Sequence, residues 1–157
     1  DAGLAVDNGI MVDAELRTSD PNIYAIGDAA NHDHPVLGRI RVEHWDTAIQ
    51  QGKVVAQNLA GAHVAYDRMP YFFTDQYDLG MEFSGHPVGY QRIVTRGEIS
   101  SREFIAFWLD EKDVVLAGMN VNVWDFTDDI QALVRSRQPV AVERLQDPSV
   151  PLTELLP

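Results

Sequence analysis

Three short stretches of this chain carry residue types that could do chemistry. In the first, the apolar run Ile23-Tyr24-Ala25-Ile26 stops at Gly27-Asp28. A strand ending this way projects one carboxylate from its C-terminal edge, where ligands sit in open α/β sheets. Glycine there lets a backbone or ligand approach closely, and the carboxylate can accept hydrogen bonds from a sugar or polyol hydroxyl. The same pattern also describes an ordinary Gly-Asp turn. In the second stretch, Arg41-Val42-Glu43-His44-Trp45-Asp46 leads into a helix. Free amides at a helix start suit an electron-rich ligand edge, and Trp45 either lies against a planar ring or fills a core. In the third, Tyr71-Phe72-Phe73-Thr74-Asp75-Gln76-Tyr77 places aromatics at alternate positions, as sheet cores do, or presents one ring to a ligand. His32-Asp33-His34, with Asp28 and His44 nearby in sequence, offers metal-ligand chemistry without a third ligand at motif spacing. No metal site is predicted, and these histidines read as solvated loop residues.

The elements that must position these residues are legible in outline. Residues 9–13 read as a short strand after Asn8-Gly9, and Thr18 to Asn22 as a loop. Ile23 to Ile26 reads as a buried strand, and His32 to Gly38 as turn. Residues 43–60 read as a helix burying Trp45, Ala48, Ile49, Gly52, Val55, Ala56 and Leu59, with Gly61 as a left-handed cap. After a linker around Tyr66 to Pro70 the text turns strand-like: Tyr71–Phe73, Tyr77–Phe83, Gln91–Arg96, Glu103–Leu109 and Val114–Met119. Asp125 to Arg137 reads as a closing helix with Phe126, Ile130, Leu133 and Val134 on one face.

Composition narrows the function classes. The chain has 157 residues, a formal net charge of −12, 45% hydrophobic residues and no cysteine. That size supplies one domain, or one small domain plus part of another. Zero cysteine excludes disulfides, thiolate metal sites and cysteine nucleophiles from this stretch. The acidic balance argues against nucleic acid as a partner, and no apolar run approaches the roughly 20 residues of a membrane span. A soluble, cytoplasmic chain is expected. It opens on Asp1 rather than Met, which reads as a cut through a longer protein.

Taken in order, the pieces are more specific than any one of them. Thr18…Ala25-Ile26-Gly27-Asp28-Ala29-Ala30, then Arg41-Val42-Glu43-His44-Trp45-Asp46-Thr47-Ala48…Gln51-Gly52, then Pro70-Tyr71-Phe72-Phe73-Thr74-Asp75-Gln76-Tyr77 resemble the FAD-dependent, NAD(P)H-using ferredoxin reductases of oxygenase systems. Apoptosis-inducing factor is a related flavoprotein, and Arg-Val-Glu-His is especially like it. The resemblance implies an α/β plus α+β architecture. Residues 1–68 would be the end segment of an FAD-binding Rossmann-like domain, and 69–157 a small antiparallel sheet with a C-terminal helix.

The resemblance also implies roles. Asp28, beside Gly27, would hydrogen-bond the flavin ribityl chain. Glu43, His44 and Trp45 would border the flavin ring and the nicotinamide approach. Phe73 stands where many relatives carry Trp in a Trp-Ser-Asp-Gln motif at the flavin face; here Phe-Thr replaces Trp-Ser, and Asp75 and Gln76 match the motif directly. No side-chain acid or base is required, so no catalytic residue is named. No G-x-G-x-x-G occurs in the chain, so the phosphate cradles would lie in a missing N-terminal FAD/NAD portion. His86-Pro87 is followed by Val-Gly-Tyr-Gln rather than Thr-x-x-Glu, which disfavours a disulfide reductase. The implied function is electron transfer from NAD(P)H through FAD to a ferredoxin-type iron–sulfur protein, with the isolated chain inactive. Arg39, Arg41, Arg92, Arg96 and Arg102 could form a basic patch for an acidic ferredoxin. The alternative is a protein-interaction or dimerisation module of an apoptosis-inducing-factor-like flavoprotein, with self-association through exposed apolar surface.

Overall fold

The computed structural model describes residues 2–156, so the reading of Asp1 lies outside it. The chain forms two compact units, Asp1–Pro70 and Tyr71–Pro157.

The first unit is built on a three-stranded sheet of β1 (Ile10–Val12), β2 (Ala30–His34) and β3 (Gly38–Arg41). β1 runs parallel to β2 with Ile10 opposite Ala30, and β3 returns antiparallel with Ile40 opposite His32. Val12, Leu16, Ala25, Ala30 and Tyr66 close its core. Here the structure corrects two expectations. Ile23–Ile26 is not a strand: Arg17 and Tyr24 make a single bridge, and Ile26 is exposed. The turn in which the Thr18 hydroxyl donates to Asp20 O and Ile23 N donates to Asp20 O leaves too few residues for a ladder. His32 and His34 are not solvated turn residues but buried members of β2. The His34 ring explains why this is tolerable. Its Nδ1 accepts the amides of Val36 and Leu37, so Nε2 carries the proton and donates to Arg68 O at 3.2 Å.

Helix α1 (Trp45–Leu59) is where the sequence suggests, but its orientation is not. The buried residues are Thr47, Gln51 and Asn58, while Trp45 is 73% and Leu59 69% exposed. The inward side combines Val54 and Val55, packed on the core, with Gln51 and Asn58, whose side chains bond backbone groups. The Asn58 amide donates to Glu15 O and Val64 O, and its Oδ1 accepts from Val64 N. Gly61 follows at φ +89°, as a left-handed end requires.

The second unit is a five-stranded antiparallel sheet in the order β4-β5-β8-β7-β6, with β4 (Tyr71–Gln76), β5 (Leu79–Gly85), β6 (Arg92–Glu98), β7 (Glu103–Leu109) and β8 (Val115–Val121). Tyr77, expected within a strand, is instead the fully exposed tip of the β4–β5 hairpin at φ +58°. Helix α2 (Thr127–Ser136) lays Ile130, Leu133 and Val134 on the sheet with no exposed surface. Contact is so close that a Cβ on Gly118 would stand 2.7 Å from Ile130 Cγ2. On the pleat that also carries Met119, Phe83 stacks on Phe72 at 5.0 Å and meets Trp108 edge-on at 5.3 Å. A tail of α3 (Val142–Gln146) and a 3-10 turn at Leu152–Leu155, unforeseen from the sequence, completes this unit.

Candidate functional site

In the first unit, the structure gathers five of the six candidate residues at the start of α1. Gly27 opens a 3-10 turn, Gly27–Ala29, at φ +64°, and a Cβ there would lie 3.2 Å from the Ala48 Cβ. The turn is fastened to α1 by Gln51, whose Oε1 accepts from Gly27 N at 2.7 Å. Arg41, at the end of β3, holds the other side. Its Nε donates to Asp28 O at 2.7 Å and its Nη1 to Asn8 Oδ1 at 3.3 Å, and it pairs with the Glu43 carboxylate. Asp28 and Glu43 are thus joined through one guanidinium.

His44 caps α1 in an extended conformation, half-buried. Burial lowers its pKa, and the neighbouring carboxylates of Asp28 and Asp46 oppose that only in part, so the imidazole is neutral at pH 7. Asp46, in the first helical turn, pairs with Arg68 at 2.7 Å. The Asp28 carboxylate and the Trp45 indole both remain exposed. The arrangement is a rigid turn with one free carboxylate, a neutral imidazole and an open indole at a helix N-terminus. It can bind a planar ring that carries hydroxyl groups, and it contains no nucleophile with an adjacent base.

Phe73 belongs to the second unit, 53% exposed on β4. It lines a recess of about 220 Å³ with Tyr71, Asp75, Met81, Glu82 and Trp124. Glu82 anchors one wall. It accepts from Tyr71 Oη at 2.8 Å, Asn120 Nδ2 at 2.9 Å and Thr127 Oγ1 at 3.0 Å. Burial pushes its pKa up, but the bonds from Asn120, Tyr71 and Thr127 outweigh that and leave it below the ordinary glutamate value. The stability this carboxylate adds is therefore complete above the unfolded value of about 4.3 and lost as pH falls through the lower folded value. Glu82→Gln is expected to be less stable than the wild type at pH 7, and the gap to close below about pH 4 in urea titrations. A gap independent of pH would refute an ionic origin.

Each arginine suggested for a basic patch is engaged within its own unit. Arg39 is spent on Val12 O and Asn31 O, Arg41 on the turn, Arg92 on Asp113, and Arg102 on Asp78. Arg96 is buried against the carbonyls of its own unit's tail. Gln51 and Trp124 were not singled out by sequence reasoning as site residues. Gln51 is revealed by its bond to Gly27 N, and Trp124, which carries no spacing signal, by Gly80, where a Cβ would collide with the ring.

Comparison with known proteins follows the same division. A family model described as "Reductase C-terminal" matches residues 71–156, and one described as "Pyridine nucleotide-disulphide oxidoreductase" matches residues 1–52. Putidaredoxin reductase of Pseudomonas putida is 36% identical over 99% of this chain and 37% of its own length. The crystal structure of a ferredoxin reductase for the CYP199A2 system from Rhodopseudomonas palustris superposes with a TM-score of 0.86 at 33% identity, over 98% of this chain and 38% of that one. The covalent putidaredoxin reductase–putidaredoxin complex gives 0.83 at 36% identity, over 98% and 37%. The chain thus spans under two fifths of the length of these relatives. With more than half of its residues matched by the first of those models, the chain belongs to the reductase C-terminal family.

Proposed function

We propose that this chain is the C-terminal part of an FAD-dependent NAD(P)H oxidoreductase serving a ferredoxin-type iron–sulfur protein. The observation that carries the proposal is the Gly27–Asp28 turn, clamped between Arg41 and Gln51 at the start of α1 with its carboxylate exposed. Those residues fit the cofactor: Asp28 accepts hydrogen bonds from the ribityl hydroxyls, and Glu43, neutral His44 and Trp45 border the ring. Phe73, on the second unit, remains a candidate cofactor-binding aromatic. When bound, FAD supplies the conversion between two-electron nicotinamide chemistry and one-electron iron–sulfur chemistry. The protein's part is to orient and tune that group, and no side chain of this chain needs to move a proton. The phosphate cradles are assigned to an upstream portion of the parent. No helix among the described residues is long and apolar enough to cross a membrane, and a cytoplasmic location is part of the proposal.

The test is Asp28→Ala in the full-length protein. Removing one charge-assisted acceptor is expected to weaken FAD about tenfold, read as flavin released on dilution and filtration. Undiminished flavin retention would sink the assignment of Asp28.

A further inference from the structure

Behind the Gly27–Asp28 turn lies a titratable side chain that the proposed chemistry does not use. His32, on β2, is buried, and its register partners on the two flanking strands are the apolar Val12 and Ile40. The Tyr66 ring meets it edge-on at 5.4 Å and the His34 ring at 5.9 Å. Burial pushes the Tyr66 phenol up to about 12, so that hydroxyl is neutral at pH 7 and puts no anion beside the imidazole.

Hydrogen-bond logic fixes the state of the His32 ring. Gln51 has no exposed surface, and its side-chain amide touches two groups at once, with Oε1 2.7 Å from Gly27 N and Nε2 3.4 Å from His32 Nδ1. Gly27 N can only donate, so the oxygen end of the amide must face it. The nitrogen end, also a donor, then faces His32, and Nδ1 must accept. The imidazole therefore holds its proton on Nε2. A ring with its proton on Nδ1 would instead set two donors against each other. Turning the amide over to relieve them would leave Gly27 N facing an amide nitrogen in a buried position. At 3.4 Å the contact is long, and its weight lies in choosing between two amide orientations rather than in its own strength.

We propose that His32 is a positioning residue for the candidate site. Its unprotonated Nδ1 selects the orientation of the Gln51 amide, and that orientation holds Gly27 N and with it the turn that presents Asp28. The consequence for flavin rests on the flavoprotein reading, whereas the orientation of the amide does not.

The experiment uses the full-length protein and two variants that separate the ring from the acceptor. His32→Phe keeps a ring and removes the acceptor. His32→Asn gives up the ring and keeps an oxygen near the place of Nδ1. The FAD dissociation constant is expected to rise about threefold to tenfold in His32→Phe and about twofold or less in His32→Asn. A role confined to packing gives the reverse order, so His32→Asn binding FAD no better than His32→Phe overturns the proposal. Nitrogen NMR of the wild-type ring reads the tautomer itself, because an unprotonated ring nitrogen resonates far downfield of a protonated one. A protonated Nδ1 at pH 7 overturns the proposal whatever the flavin does. A wild type that holds no flavin sinks the flavoprotein reading alone, and an unprotonated Nδ1 then still supports His32 as the group that sets the Gln51 amide.

Discussion

Arg96→Ala is expected to destabilise the second unit by about 3–5 kcal/mol. The Arg96 side chain, 6% exposed, ties β6 to the tail that follows α2 through four hydrogen bonds. Nη1 donates to Leu145 O at 3.3 Å and Asp147 O at 2.8 Å, and Nη2 to Pro148 O at 3.3 Å and Val150 O at 2.7 Å. Burial lowers the guanidinium pKa and Asp147 opposes this, but an arginine remains protonated throughout. These are charge-assisted bonds to carbonyls outside any ladder, so alanine takes this donor from Leu145 O, Pro148 O and Val150 O, while Asp147 O keeps the Val150 amide. The tail brings Leu145 and Leu152, both fully buried, and their burial is lost with it. Arg96→Lys keeps the charge but not the fork, since one ammonium cannot reach four carbonyls on two sides, and is expected to recover less than half of the loss. Urea denaturation would give the energy, and limited proteolysis would show cleavage between residues 142 and 156. A variant melting with the wild type and resisting protease would refute the clamp.

Gln51→Leu is the second large effect, expected at about 2–3 kcal/mol. Leucine nearly matches the volume, so the cost is polar rather than steric. Gln51 has no exposed surface, and its Oε1 is the acceptor for Gly27 N, a buried amide. Leucine strands that amide, and it also removes the side-chain amide lying 3.4 Å from His32 Nδ1. The consequence reaches the proposed function. Losing its fastening to α1, the Gly27–Asp28 turn samples other positions, and FAD retention falls although Gln51 lies behind the carboxylate. Full stability together with unchanged flavin binding would show that the turn is held from the Arg41 side alone.

Legibility in the sequence followed from which residues cover which. Helix α2 was readable to within a few residues because Ile130, Leu133 and Val134 repeat on one face and meet β5 and β8 of the same sheet. β7 was readable because Glu103 to Leu109 is a β-branched and aromatic run between turn signals. Helix α1 was placed correctly and turned wrongly. Its apolar stripe is real, but the side that faces the sheet is the one whose glutamine and asparagine answer backbone groups from Glu15, Gly27 and Val64. β2 was hidden because Asn31, His32 and His34 are polar, and their burial depends on partners at other points of the chain, including Arg68 O. The tail after α2 was hidden for the same reason, since its anchor Arg96 lies about fifty residues earlier.

The candidate site divides along that line. The sequence by itself determined the residue types that matter, Gly27-Asp28 before a helix start and an aromatic strand at Tyr71 to Gln76, because turn chemistry and strand alternation are local properties. It also determined that the chain's charge is strongly acidic. Only the tertiary structure decided that Arg41 joins Asp28 to Glu43, that each candidate patch arginine is already occupied, and that Trp124 stands on Gly80 beside Phe73. The physical reason is that periodicity reports the existence of a face or a charge, whereas hydrogen-bond saturation and close approach depend on groups brought together from distant parts of the chain.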